Sequence, residues 1–317
     1  MTLREQRGGV RYASLSYADS GNLGDNIQTL ATEQHLPHVD RRIDRDTLAE
    51  FNADKPHLII LNGWFSRFPE QFFPPSDDII PVFVGFHIAE FSDSRTAHFF
   101  TDTSLSYFRR HQPIGCRDDG TRLMLEEAGV QAFTSYCLTL TFPTRTRAPK
   151  DGRVFIVDGD RLPVPLALRA GSVRLSHDVS DVLGDDIKTA MARRLLDAYR
   201  DRARLVITSR LHCALPCLAM GIPVIFFGDA TQERVRFAQE LGLKIHPIPR
   251  DGYLSQLVRI TPVIRRIWNW WRCRSIDWGP GPVNIDAAKA LLAKTVAEAI
   301  ASGERRYEQS GGMHACS

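Results

Sequence analysis

The sequence predicts an α/β protein of two layered halves, on three observations. Short apolar runs alternate along the chain with stretches of helical periodicity, the pattern of strands layered against helices. Several of the runs are apolar throughout, as strands covered on both faces of a parallel sheet must be. Near the middle, the apolar segment Tyr136 to Phe142 gives way to PTRTRAPKDGR, a stretch rich in Pro, Arg and Gly with little to bury. It reads as a linker between an N-terminal α/β domain over residues 1–145 and a C-terminal α/β domain over residues 146–317.

In chain order, strands are expected at Tyr12 to Tyr17, Leu58 to Leu61, Val82 to Phe86, Val154 to Val157, Leu205 to Thr208 and Val224 to Phe227. A helix is expected from near Asn26, with Asp25 as its cap where the turn is only a turn. Another runs from Asp185 to Arg202, with Ile187, Met191, Leu195, Leu196 and Tyr199 on one stripe, and a third from Ile285 to Ile300 carries Leu291, Leu292 and Val296. The polar tail from Ser302 reads as a mobile or crossing segment whose end frays.

A chain of 317 residues has room for about two domains of ~150 residues. Hydrophobic residues at 43% and charged residues at 24% weigh against wholesale disorder and fibrous architectures. The net charge of +3, 40 basic against 37 acidic residues, gives no ground for a nucleic-acid binder. None of the six cysteines forms a CxxC pair, so reduced thiols are expected, and Cys213 and Cys217 read as small core residues. No metal site and no cofactor are expected. MTLREQRGGVRY lacks the apolar run of a signal peptide, and no segment reaches the roughly 18 apolar residues of a membrane span, so the expected compartment is cytoplasmic.

Candidate chemistry gathers at strand ends. Gly21, Asn22, Leu23, Gly24 and Asp25 lie between a strand and a helix, where glycines allow close backbone approach and free N–H groups favour anions. The spacing is neither GxGxxG nor a P-loop. At the end of Leu205 to Thr208, Ser209, Arg210, Leu211 and His212 place a guanidinium and an imidazole where open α/β sheets bind ligands. Arginine suits bidentate recognition of carboxylate or phosphate, and histidine exchanges protons near neutral pH. In the first half, Asn62 and Gly63, then Gly85, Phe86 and His87, then Arg117 and Asp118 also end apolar runs and are placed to share one cleft edge. Each has a plainer reading: His87 as a structural histidine, and Arg117 with Asp118 as a local ion pair capping the helix from Asp119. The segment Ile264 to Arg274 interleaves Trp268, Trp270 and Trp271 with arginines, which suits packing first and membrane contact second.

Together these segments resemble the polysaccharide pyruvyl transferase family. The resemblance is carried by GNLGDNIQTLA (Gly21 to Ala31), IILNG, IGCRDDGTRLMLEEAGV and SRLHCALPCLAMGIPVI (Ser209 to Ile225), discontinuous blocks over residues 11–230. It implies an α/β fold of two Rossmann-like halves facing a cleft, a glycosyltransferase B-like architecture. It also implies transfer of the pyruvyl group of phosphoenolpyruvate, as a ketal, onto a hydroxyl pair of a sugar or lipid-linked glycan acceptor. The family's Arg-Leu-His triple falls on Arg210, Leu211 and His212, its Arg-Asp pair on Arg117 and Asp118, its Gly-rich turn on Gly21 to Asp25, and its Gly-x-His on His87.

The donor carries a carboxylate and a phosphate, for which Arg117, Arg210 and helix N-termini are the expected partners. Protonation of its methylene carbon and deprotonation of a hydroxyl call for an acid and a base. His212, beside an arginine and a helix start, is expected to favour its neutral form and to act as the base, leaving His87 as the acid. Exopolysaccharide biosynthesis on the inner face of the membrane, with peripheral contact through the tryptophan segment, fits such an enzyme. The alternatives are a glycosyltransferase of the same architecture using a nucleotide sugar, and a non-catalytic carbohydrate-binding or assembly protein. Oligomeric state is left open.

Overall fold

The computed structural model describes residues 10–89, 94–248 and 274–310. The tryptophan segment at 264–273 lies outside the described residues. The strands of the first half are β1 (Arg11–Ser16), β2 (Arg41–Asp44), β3 (His57–Ile60), β4 (Gly63–Trp64), β5 (Ile79–Val82), β6 (Phe86–His87), β7 (Ile114–Cys116) and β8 (Ala132–Thr134). Those of the second are β9 (Arg153–Val157), β10 (Val173–Leu175), β11 (Ala203–Thr208), β12 (Val224–Gly228) and β13 (Ile245–Pro247). The helices are α1 (Leu23–Glu33), α2 (Pro69–Phe72), α3 (Ser94–His98), α4 (Asp102–His111), α5 (Asp119–Glu127), α6 (Leu166–Arg169), α7 (Asp185–Arg202), α8 (Leu211–Ala219), α9 (Glu233–Glu240) and α10 (Asp286–Ser310).

The second half holds one sheet in the order β10-β9-β11-β12-β13. The first holds two, β2-β1-β3-β5 and β4-β6-β7-β8, and every paired strand in all three is parallel. The expected run Val82 to Phe86 is therefore not one strand. It breaks into β5 and β6 because Gly85 turns the backbone at φ +78°, a left-handed conformation open to glycine. Backbone bonds from Leu61 N to Val82 O (2.9 Å), Gly63 N to Gly85 O (3.2 Å) and Gly115 N to Phe83 O (3.1 Å) bridge the break. The two small sheets thus run on into one another, and their carboxyl ends stay on one edge. β3 is buried at every residue, as its continuous apolar run requires.

The two halves share a core. Ile27, Leu30, Leu58 and Val82 from the first pack in one cluster with Phe155, Leu196, Leu218 and Val296 from the second. A separate phenylalanine-rich cluster, including Phe65, Phe72, Phe73, Phe86 and Phe108, fills the far side of the first half.

One helix expectation needs correction. On α7 Leu196 and Tyr199 are buried as expected, but the first member of the stripe is not. Ile187 is 54% exposed while Lys188 is fully buried, because its ammonium finds three backbone carbonyls, as described below. The tail from Ser302 is the crossing segment that one of the two readings expected: α10 continues to Ser310 and crosses onto the first half. There Tyr12 Oη donates to Glu304 Oε1 (2.5 Å) and Arg306 donates to the Pro81 carbonyl (3.3 Å). Among the described residues no helix is long and apolar enough to cross a membrane.

Candidate active site

Residues at or just beyond the carboxyl ends of β1, β4 and β7 in the first half face those of β10, β11 and β12 in the second. Between them lies a cavity of about 550 Å³. Asn22, Gly24, Asp25 and Arg117 line it from one side, and Ser209, Arg210, Leu211 and His212 from the other. Eight of the residues expected at the site are thereby brought together. Gly21, Asn62, Gly63 and His87 are not on its wall.

The turn after β1 differs from the expected anion cradle. Helix α1 starts at Leu23, and its cap is Asn22, whose Oδ1 accepts from Gly24 N (3.1 Å); Asp25 is not the cap. Leu23 N donates to the His177 carbonyl (2.9 Å) and Asp25 N to the Asn22 carbonyl (3.0 Å), so the first-turn amides are already engaged. Gly21 is small for a structural reason. Its carbonyl accepts from Val179 N (2.8 Å), and a Cβ there would lie 2.6 Å from the Val179 carbonyl oxygen. The turn is a joint between the halves.

Lys188 fastens the same turn, donating to the carbonyls of Tyr17 (2.9 Å), Ala18 (2.6 Å) and Ser20 (3.0 Å). Asp185 Oδ1 accepts from Asn26 Nδ2 (2.9 Å) and Tyr17 N (3.2 Å). Held this way, Asp25 lines the cavity, its carboxyl accepting from Ser20 Oγ (2.6 Å) and Gln28 Nε2 (3.2 Å). Its pKa is raised from the ordinary carboxylate range. Burial is the largest cause, opposed by the Ser20 hydroxyl bond and the charges of Arg45 and Arg117.

Arg117 follows β7 and is 3% exposed, yet its Nε has no hydrogen-bond partner. The nearest carboxylate oxygen, Asp118 Oδ2, is 3.9 Å from that Nε. Asp118 itself fulfils the plainer expectation. It caps α5 by accepting from Thr121 N (2.9 Å) and Thr121 Oγ1 (3.0 Å), and it meets His87 Nδ1 at 2.5 Å. Burial acts to raise the Asp118 pKa, but the His87 bond and the His87 and Arg117 charges outweigh it and hold it at about 2. Burial, with the Arg117 charge, pushes His87 down to about 4. Asn62 is buried with Oδ1 accepting from Leu138 N (3.3 Å), and Gly63 belongs to the β4 ladder.

Across the cavity, Arg210 occupies the cap position of α8 without a side-chain cap bond, so the positive end of the helix dipole points into the space. Its own guanidinium is held by two carboxylates: Nε donates to Asp158 Oδ2 (2.9 Å) and Nη2 to Asp178. His212 follows in the first turn. A Cβ on Gly24 would lie 3.2 Å from His212 Cβ, so the glycine gives the imidazole its place. The Nε2 atom of His212 is buried with no hydrogen-bond partner. Burial first, then the charge of Arg117, carries its pKa well below 6.5, so the ring is neutral at neutral pH.

Several wall residues escaped the sequence reading: Trp64, His177 and Arg234. Arg234 lies on α9, just beyond the carboxyl end of β12, and Asp158 just beyond that of β9. The rule that singled out Arg210 applies to both. Among the described residues no group of three or more His, Cys, Asp or Glu is placed to hold a metal ion.

Fold and cavity together define an α/β protein with a candidate site between the carboxyl edges of two parallel-sheet halves, lined by a buried cation and a neutral imidazole. The family model for polysaccharide pyruvyl transferase matches residues 22–230, more than half of the chain and the part containing these residues, and the chain belongs to that family. It is a transferase by family. A comparison with curated proteins finds no match.

Solved structures with a related course of the chain include a Klebsiella pneumoniae protein of uncharacterised function, at 13% identity and TM-score 0.44, covering 77% of this chain and 95% of that one. A Listeria monocytogenes structure titled a putative UDP-N-acetylglucosamine 2-epimerase matches at 11% identity and TM-score 0.43, covering 95% and 98%. A further UDP-N-acetylglucosamine 2-epimerase matches at 8% identity and TM-score 0.40, covering 97% and 98%.

Proposed function

We propose that the protein moves the pyruvyl group of phosphoenolpyruvate onto a hydroxyl pair of a glycan, forming a cyclic ketal and releasing phosphate. The observation that carries this reading is Arg117, a buried guanidinium with its Nε lacking a hydrogen-bond partner, on the wall of the same cavity as His212, whose Nε2 also lacks one. A buried guanidinium whose one carboxylate neighbour, Asp118, stands beyond hydrogen-bond reach at 3.9 Å is better satisfied when a ligand anion completes it. The donor offers two anionic groups. Arg117 takes one, and the dipole of α8 with Arg234 takes the other. Arg210, already neutralised by Asp158 and Asp178, acts as a rigid wall and cap more than as a free cation.

His212 Nε2, neutral and free to accept, takes the proton of the attacking hydroxyl. His87 is placed differently from the acid expected of it. Off the cavity wall and pushed down to about 4, it holds no proton to give at neutral pH, and it instead fixes Asp118 behind Arg117. No step requires a cofactor beyond the co-substrate. The test is the mass of the product after incubation with phosphoenolpyruvate and candidate acceptor glycans, alongside phosphate release. A pyruvyl ketal supports the reading; glycosyl addition from a nucleotide sugar with no pyruvylation by phosphoenolpyruvate overturns it.

A further inference from the structure

We propose that Asp25 is the general acid of the reaction, delivering the proton that converts the donor's methylene carbon into the methyl group of the ketal. The inference rests on the pyruvyl-transfer reading and goes beyond it by filling a role that reading leaves empty. Carbon protonation needs a proton donor on the cavity wall. His212 is pushed to its neutral form, and His87 is off the wall.

Asp25 has the position. It sits in the first turn of α1 and lines the cavity with Arg117 and His212. Its neighbour Gly24 packs directly on His212, so Asp25 and His212 stand near each other on the cavity wall. Its two oxygens are oriented by Ser20 Oγ and Gln28 Nε2, and the turn carrying it is fixed by Lys188 and by Asn26 on Asp185. The charged and titratable groups around it are Tyr17 just after β1, Arg45 and Asp46 just after β2, and Arg117 after β7. Two of these are cations that favour its charged form, Asp46 opposes it, and burial outweighs the cations.

The step balances. The Asp25 proton goes to the methylene carbon as the first acceptor oxygen bonds to the adjacent enol carbon, and that hydroxyl's proton passes to His212 Nε2. The bond from this carbon to the phosphate oxygen then breaks, and phosphate leaves with the electron pair and the proton from His212. The second hydroxyl closes the ketal, and its proton returns to the Asp25 carboxylate.

Asp25→Asn keeps the size and an oxygen to accept from Ser20 but carries no acidic proton. Its phosphate release from phosphoenolpyruvate with an acceptor glycan should fall roughly 100-fold or more, while donor binding by calorimetry stays within about threefold. The alkaline limb of the wild-type pH profile should vanish with it. Ser20→Ala guards against a folding failure. It removes a donor that stabilises the ionised carboxylate, so the alkaline limb should move to higher pH.

Near-normal turnover in Asp25→Asn, lost donor binding in a folded Asp25→Asn, or an unmoved limb in Ser20→Ala each overturns the assignment and leaves the pyruvyl-transfer reading intact. Absence of donor turnover by the wild type with every acceptor overturns both.

Discussion

Arg210 Nε donates to Asp158 Oδ2 over 2.9 Å, so the most conspicuous cation of the sequence meets its counter-charge inside the protein. Asp158 is itself pinned. It accepts from His177 N (3.0 Å) and Ser176 Oγ (2.5 Å) and holds a left-handed φ of 49°. The arginine that lacks such a carboxylate within hydrogen-bond reach is Arg117.

Arg117→Ala is therefore expected to weaken phosphoenolpyruvate binding more than Arg210→Ala. A buried charge-assisted hydrogen bond is worth about 1.5–3 kcal/mol, so the loss at Arg117 should be about 10- to 100-fold in Kd. Arg210→Lys loses the fork that spans Asp158 and Asp178 and should lower stability along with affinity. Isothermal titration with the donor checks the order. Equal or greater loss at Arg210 would reverse the assignment of the two cations.

The sequence made the cations visible because each ends an apolar strand, a local signal that needs no knowledge of what lies opposite. Arg117, Arg210 and His212 were legible for that reason. Their partners were not. Asp158 and Asp178 reach Arg210 from 52 and 32 residues away, and the amide of Leu23 meets the carbonyl of His177 only once the halves have docked. The Gly21 to Asp25 turn shows the same limit. Its glycine is explained by the Val179 backbone, a contact that local pattern cannot distinguish from a ligand's approach.

Lys188 illustrates how tertiary context overrides periodicity. The apolar stripe of α7 points to Ile187 as the buried residue, but the buried one is the lysine, tied to three carbonyls of the turn below the site. Lys188→Met should leave the Ala18 and Ser20 carbonyls unpaired, the Tyr17 carbonyl keeping the Ser20 amide (3.3 Å), and cost about 2 kcal/mol or more of stability, since each unsatisfied buried group costs about 1–3 kcal/mol. Urea unfolding at pH 7 measures it. A loss under about 1 kcal/mol would show that water replaces the ammonium readily.

The buried pair of His87 and Asp118 sets an acid dependence. His87 is depressed to about 4 from 6.5, so between those values the unfolded chain takes up a proton that the folded chain refuses. Stability from this group is full above 6.5 and is lost as pH falls towards 4. Asp118, at about 2 against 3.8, adds a second loss that begins only below about 4. His87→Asn keeps a donor for Asp118 and removes the histidine's proton uptake. Its unfolding free energy should fall less steeply between pH 6.5 and 4 than the wild type's. Identical slopes in chemical denaturation series would exclude His87 as a contributor.

The last expectation concerns His212, where geometry and charge point the same way. Its Nε2 is buried without a partner, burial and Arg117 keep the ring neutral, and Gly24 holds its Cβ against the turn that carries Asp25. A neutral ring with a free acceptor nitrogen is suited to removing a hydroxyl proton and poorly suited to binding an anion. His212→Gln keeps a polar side chain of similar reach but cannot take the proton. Turnover should fall roughly 100-fold or more with donor affinity nearly intact. Gly24→Ala, which crowds the ring without changing its chemistry, should lower turnover less and in the same direction. Loss of donor affinity with turnover preserved at saturation would instead make His212 a binding residue.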